Sequence, residues 1–178
     1  SDGGSAVDPI TQDYGTEVTV PADPTKTGYT FDGWDKEIPQ TMPAEDITIT
    51  AQWEAVVYSI TYELDGGTYQ VDKPETYTIE TDTITLQAAT KDGYTFDGWY
   101  DAAQDGNKVT EITKGSIGDI TLYARWSADK YTVTFDGQEG TVDTGPKQVT
   151  YDSAYGQLPM PERTGYTFEG WFTEATGG

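Results

Sequence analysis

The seven residues GYTFDGW stand at 28–34 and again at 93–99, and they return at 165–171 with Glu169 in place of the aspartate. A heptapeptide this specific, present three times in 178 residues, requires a chain built from copies of one supersecondary unit. Two further blocks keep a fixed order around it. An opening block, YSITYELDGG, begins at Tyr58 and recurs as YTVTFDGQEG from Tyr131. A closing block, ITITAQW, ends at Trp53 and recurs as ITLYARW ending at Trp126. Both pairs are 73 residues apart. The repeats are therefore 1–55, which lacks an opening strand, 56–128, which is complete, and 129–178, which lacks a closing strand. SDGG at 1–4 resembles the turn that follows an opening strand, so the chain reads as a segment of a longer array.

Spacing within the copies places a loop. Trp34 and Trp53 are 19 residues apart, whereas Trp99 and Trp126 are 27 apart. The difference falls in YDAAQDGNKVTEITKGSIGD, and surface loops accept insertions at little cost. The joints EAVV at 54–57 and SADK at 127–130 are too short for free tumbling. Units about 30 Å across, joined this way, predict an elongated rod.

The periodicity is that of strands. Tyr58, Ile60, Tyr62 and Leu64 share one face, as do Tyr131, Val133 and Phe135, and as do Ile120, Leu122, Ala124 and Trp126. The stretch 149–159 is ambiguous and has room for a single helical turn, so the class is mainly β, bordering on α+β. In the heptapeptide Tyr94 and Phe96 share a face, but Trp99 lies three residues beyond Phe96 and would point away in a regular strand. One extra residue at Asp97 and Gly98 returns Trp99 to the core face, because glycine accepts positive φ. The same irregularity is predicted at Asp32 and Gly33 and at Glu169 and Gly170. The motif's aromatics are thus read as core: a small domain with few aliphatics needs large aromatic area to close.

Composition narrows function. Acidic residues outnumber basic ones 31 to 10, giving a net charge of −21 that is spread over all three copies. This argues against nucleic acid, which needs clustered Lys and Arg, and against anionic membranes. No apolar run is long enough to span a bilayer, and no basic-then-apolar leader opens the chain. Without cysteine there are no disulfides or thiolate metal sites, and without histidine the commonest general base and zinc ligand are gone. Chance carboxylate pairs are inevitable among so many acids, yet no cleft-sized domain exists to hold a sugar for hydrolysis. Asp101, Asp105 and Asn107 cluster in DAAQDGN without the spacing or closing glutamate of a calcium loop. Asn107 is the only asparagine, so Lys–Asn cross-linking cannot be a repeat-wide device. LPMPE at 158–162 lacks the threonine and glycine of a sortase signal.

With YTVTFDGQEGTV, VTYDSAYGQLPMPERTGYTFEGWFTEATGG, the GYTF(D/E)GW block and the terminal YARW in view, the chain resembles the Listeria–Bacteroides repeat, also called the internalin B-repeat. IPQTMPAEDITITAQW at 38–53 is similar to a shorter variant of that unit. The resemblance implies tandem β-grasp-like (ubiquitin- or SUMO-like) repeats. It also implies secreted, wall-attached proteins of Gram-positive and gut bacteria, where such repeats act as stalks and protein-interaction modules. No catalytic residues come with it.

The sequence therefore points to a non-enzymatic extracellular repeat region that spaces and binds, with a host or bacterial surface protein as partner. Catalytic, cofactor-binding and metal-ligating residues are none, no cofactor is expected, and the binding residues stay unassigned. The alternative is a carbohydrate-binding module, for which Tyr69, Tyr77, Tyr100 and Tyr123 would have to be exposed and coplanar. The incomplete first and third copies should leave unpaired sheet edges, which invite strand pairing between molecules.

Overall fold

A computed structural model describes residues 3–69 and 72–175, and within these every regular element is a strand. The middle copy holds the largest sheet. It is formed by β3 (Tyr58–Glu63), β4 (Thr76–Tyr77), β6 (Tyr94–Tyr100), β7 (Lys108–Val109) and β9 (Ile120–Ala128), in the order β4-β3-β9-β6-β7. The opening strand β3 and the closing strand β9 run parallel at its centre, with Ile60 opposite Ile120 and Tyr62 opposite Leu122. The other pairs are antiparallel. A short ribbon of β5 (Ile84–Thr85) and β8 (Glu111–Ile112) completes the unit. Elsewhere the sheets are two-stranded: β1 (Tyr29–Trp34) with β2 (Ala51–Ala55), and β10 (Lys130–Val133) with β11 (Lys147–Thr150).

The alternation of β3 and β9 delivers one face to a core of Ile60, Tyr77, Ala89, Trp99, Ile112, Leu122 and Ala124. Leu122 is wholly buried, which contributes about 1.5–3 kcal/mol relative to an exposed leucine. Aromatic rings close the rest. Trp99 meets Phe96 edge-on at 5.3 Å and Tyr62 at 5.3 Å, and Phe96 meets Trp126 at 5.1 Å.

The irregularity inside the heptapeptide is present in the first and middle copies; in the third, 166–171 is not a strand, so Glu169 and Gly170 have no ladder in which a bulge could form. Between β6 and β9 the register slips so that Phe96 faces Trp126 and Gly98 faces Arg125, leaving Asp97 as the extra residue. Between β1 and β2 it slips between Phe31 and Trp34. The glycines carry the strain, with φ of +96° at Gly33, +134° at Gly98 and +147° at Gly170.

One expectation is corrected. The stretch 149–159 contains no helix: Tyr151 and Asp152 form a turn closed by a bond from Ser153 N to Thr150 O of 3.1 Å. The class is therefore all-β among the described residues, not α+β. Of SDGG, Ser1 and Asp2 lie outside the described residues. Gly3 does reproduce the turn geometry of Gly66, with φ of +82° against +80° and a lysine Cε about 3.9 Å from each added Cβ position (Lys26 at 3.9 Å, Lys91 at 3.8 Å).

Candidate interaction surface

The heptapeptide begins with a tight turn that is the same in all three copies. Tyr29 N, Tyr94 N and Tyr166 N donate to the carbonyls of Lys26, Lys91 and Arg163 at 3.0, 3.1 and 3.1 Å. The glycine before each tyrosine sits at positive φ, the third position of a turn that only glycine fills freely. The cation that opens the turn lies over the tyrosine ring, at 4.2 Å for Lys26, 4.4 Å for Lys91 and 4.0 Å for Arg163. Lys26 and Lys91 also approach the closing tryptophans, Trp53 and Trp126, at 5.7 and 5.8 Å. Contacts of this kind are worth about 0.5–1 kcal/mol at exposed sites.

An acid from the turn after the opening strand fixes the cation. Lys91 Nζ donates to Asp65 O at 2.7 Å and stands 3.4 Å from Asp65 Oδ2, while Arg163 pairs with Glu139. That hairpin turn has positive φ at Asp65 and Gly66, and again at Gln138 and Glu139, the mirror-image geometry suited to strand twist. The motif is thus longer than seven residues. Its signal was readable as a Lys or Arg two positions before the glycine in each copy, KTGY, KDGY and RTGY.

The motif's tryptophans are oriented by carbonyls: Trp99 Nε1 donates to Gln87 O and Trp171 Nε1 to Pro159 O, both at 2.8 Å and both twelve residues back. Trp126 Nε1 donates to Leu64 O at 3.1 Å, whereas Trp53 Nε1 is buried with no hydrogen-bond partner among the described residues.

The four tyrosines on which sugar stacking depends do not form a platform. Tyr77 is 3% exposed and donates to Gly118 O at 2.5 Å. Tyr69 packs on Tyr62 and Trp99, Tyr100 lies under the Arg125 guanidinium at 3.8 Å, and Tyr123 is half-buried in β9. Burial and the neighbouring Tyr69 raise the Tyr62 hydroxyl to about 12.

Asp101 and Asn107, considered above for cation binding, close the loop between β6 and β7. Asp101 Oδ1 accepts from Asn107 N at 2.7 Å and Oδ2 from Asn107 Nδ2 at 3.2 Å, so the carboxylate is occupied by its own loop. Asp105, at φ +52°, forms part of that turn. No group of three or more His, Cys, Asp or Glu among the described residues is placed to hold a metal ion. A cleft of about 340 Å³ in the first copy is lined by Ile10, Val18, Trp34, Met42, Ile47 and Ile49. In the middle copy the matching positions, Ile120 and Leu122, lie beside β3, paired with Ile60 and Tyr62.

Three similar turns, one repeated bulge and a reused pair of aromatic contacts define a tandem all-β repeat protein. The chain belongs to the Listeria-Bacteroides repeat domain family, whose profile matches residues 1–52, 58–125 and 131–178. It is 33% identical to a membrane protein of Evansella cellulosilytica over 99% of this chain and 28% of that protein. It is 31% identical to a Gly-rich membrane protein of the same organism over 98% of this chain and 21% of that one. Internalin H of Listeria monocytogenes is 40% identical over 68% of this chain and 21% of its own length. The chain thus spans roughly a fifth to just over a quarter of these curated relatives. No solved structure matches it.

Proposed function

We propose that this chain is a non-catalytic extracellular repeat region, a stalk at the bacterial cell surface or wall that spaces a further domain and takes part in protein-mediated adhesion. The observation that carries the reading is the threefold reuse of one structural unit within a family found in an internalin. Dispersed negative charge and the occupied Asp101 carboxylate of the β6–β7 loop are consistent with it. No helix among the described residues is long and apolar enough to cross a membrane. The partner is a host or bacterial surface protein.

The units are taken as 1–55, 56–128 and 129–178, each a β-grasp-like fold. Supporting this, the middle sheet places its first and last strands parallel at the centre with hairpin strands outside, although the crossover from β4 to β6 carries a short strand in place of a helix. Strand pairing between molecules is proposed at the outer edge of β2, since its counterpart β9 is paired on both sides and β2 only with β1.

The carbohydrate reading loses support because Tyr77 is buried, Tyr69 packs on Tyr62 and Trp99, and Tyr100 is covered by Arg125. A glycan array of the intact chain is expected to be empty; a reproducible hit would reinstate that reading. Replacing the segment in its parent surface protein by an unrelated folded spacer of equal length separates the two parts of the proposal. Retained display with lost adhesion assigns partner binding to the repeats, and retention of both leaves spacing alone. Sedimentation showing a strict monomer at high concentration would remove the β2 edge from consideration.

A further inference from the structure

The first two residues of the heptapeptide face away from the core they introduce and toward the next copy. Tyr29 Oη donates to Glu80 Oε1 at 2.8 Å, and Tyr94 Oη donates to Asp152 Oδ2 at 2.9 Å. The two acceptors hold the same place in successive copies. Tyr77 pairs with Tyr58 and Val149 with Tyr131, and each acid lies three residues further on, in a turn closed by Thr81 N to Thr78 O or Ser153 N to Thr150 O, both 3.1 Å. The residue before each acid covers the glycine before each tyrosine. A Cβ added to Gly28 would fall 2.7 Å from Ile79 Cδ1, and one added to Gly93 would fall 2.5 Å from the Tyr151 ring. Tyr151 also meets Tyr94 edge-on at 5.5 Å. The connecting chain is tied to the same spot, since Val56 N donates to Gly28 O at 3.0 Å and Asp129 N to Gly93 O at 2.9 Å.

We infer that the glycine and tyrosine of each copy form a docking surface for the following repeat, whose matching element is a turn made of an apolar or aromatic residue followed by a carboxylate. Ile79 with Glu80 fills it at the first joint and Tyr151 with Asp152 at the second. The glycine is needed twice, for the turn's positive φ and for the close seat of the incoming side chain. The joint is therefore a specific latch that fixes the angle between neighbours, and the short connector alone does not set it. This goes beyond the surface-stalk reading, which requires only that the units be joined.

The absence of cysteine lets paired spin labels be placed without background. Labels at Thr30→Cys and Glu111→Cys span the first joint, and labels at Glu111→Cys and Gln148→Cys span the second; all three positions are exposed strand residues. Each pair in the full chain is expected to give one narrow distance distribution by electron–electron resonance. Ile79→Ser should at least about double the width across the first joint and leave the second unchanged, and Tyr151→Ser should do the reverse, because domains lacking a firm interface move relative to one another. Tyr94→Phe and Asp152→Asn, which preserve shape, should each broaden the second joint by a smaller amount. Hydrogen exchange in β3, β6 and β9 should be unaltered in all four variants, separating a loosened joint from an unfolded unit. The latch is overturned if both distributions are already broad in the parent chain, if the turn variants change neither, or if each changes both alike. External partners play no part in this measurement, so its outcome is independent of the adhesion reading.

Discussion

The middle and third copies carry nearly the same heptapeptide in different company. In the middle copy YTFDGWY is a strand laddered to β9, and Trp99 is 2% exposed. In the third copy 166–171 is not a strand, Trp171 is only half-buried and Tyr166 is 67% exposed. Yet the local geometry survives. Phe168 meets Trp171 at 5.3 Å and 64°, against 5.3 Å and 68° for Phe96 and Trp99, and Phe135 meets Trp171 at 5.0 Å where Tyr62 meets Trp99 at 5.3 Å. The heptapeptide thus sets its own turn and ring contact, while flanking strands supply the ladder and most of the burial. Shape is local here and stability is not.

The most severe way to test that division is to remove the tryptophan in each setting. Trp99→Ala is expected to destabilise the middle copy by about 3–5 kcal/mol. Trp171→Ala should cost clearly less, as read by urea midpoints. Equal losses would mean that the third copy is as well packed as the middle one.

Next come the bulge glycines. Gly98→Val places a β-branched residue at φ +134° and should cost about 1–3 kcal/mol. Gly170→Val, with no ladder to hold the bulge, should cost less. Thermal unfolding of the two variants makes the comparison.

A smaller effect is expected from Tyr77→Phe, which removes the bond to Gly118 O while keeping the ring, at a loss of about 1 kcal/mol. The variant also tests whether Tyr77 acts as core rather than as a ligand contact.

The finest comparison uses pH. Asp119 accepts from Ser59 N at 2.8 Å and Ser59 Oγ at 2.9 Å, and these bonds, the backbone one first, hold its carboxyl below the ordinary aspartate value. A depressed folded value means that its contribution is complete above the unfolded aspartate range and is lost as pH falls through the folded one. Asp119→Asn should therefore flatten the acid limb of the stability curve. Tyr94 behaves oppositely. Its hydrogen bond to the Asp152 carboxylate, with burial second, raises its hydroxyl above the usual value. Its contribution is complete below the ordinary tyrosine value and fades as pH rises through the raised one. Tyr94→Phe should remove one component that titrates above the ordinary tyrosine value from the phenolate absorbance curve.

The repeats, the strand faces of β3 and β9 and the bulge were legible because each is written in local spacing: period two, or a glycine where parity fails. Three features were not. The burial of Tyr77 depends on its pairing with Tyr58 across 19 residues, and parity within a two-residue strand says nothing about facing. The sheet order depends on β3 reaching β9 over an intervening 56 residues. The contacts of Tyr29 and Tyr94 with Glu80 and Asp152 are hidden in the sequence because they join residues 51 and 58 positions apart in different copies, and no local spacing marks them. The preceding Lys or Arg was visible in all three copies and marks where the motif turns outward.

That outward turn has a geometric consequence. The joint brings together unlike faces, a glycine–tyrosine turn on one side and an apolar–acidic turn on the other, so it is heterologous and has a direction. Repeating one such contact would apply the same rotation and translation at every step, so the bearing of one end relative to the other would advance by a constant angle with each repeat gained or lost. Tyr166, with its ring capped by Arg163 and 67% exposed, is the residue of the third copy that corresponds to Tyr29 and Tyr94.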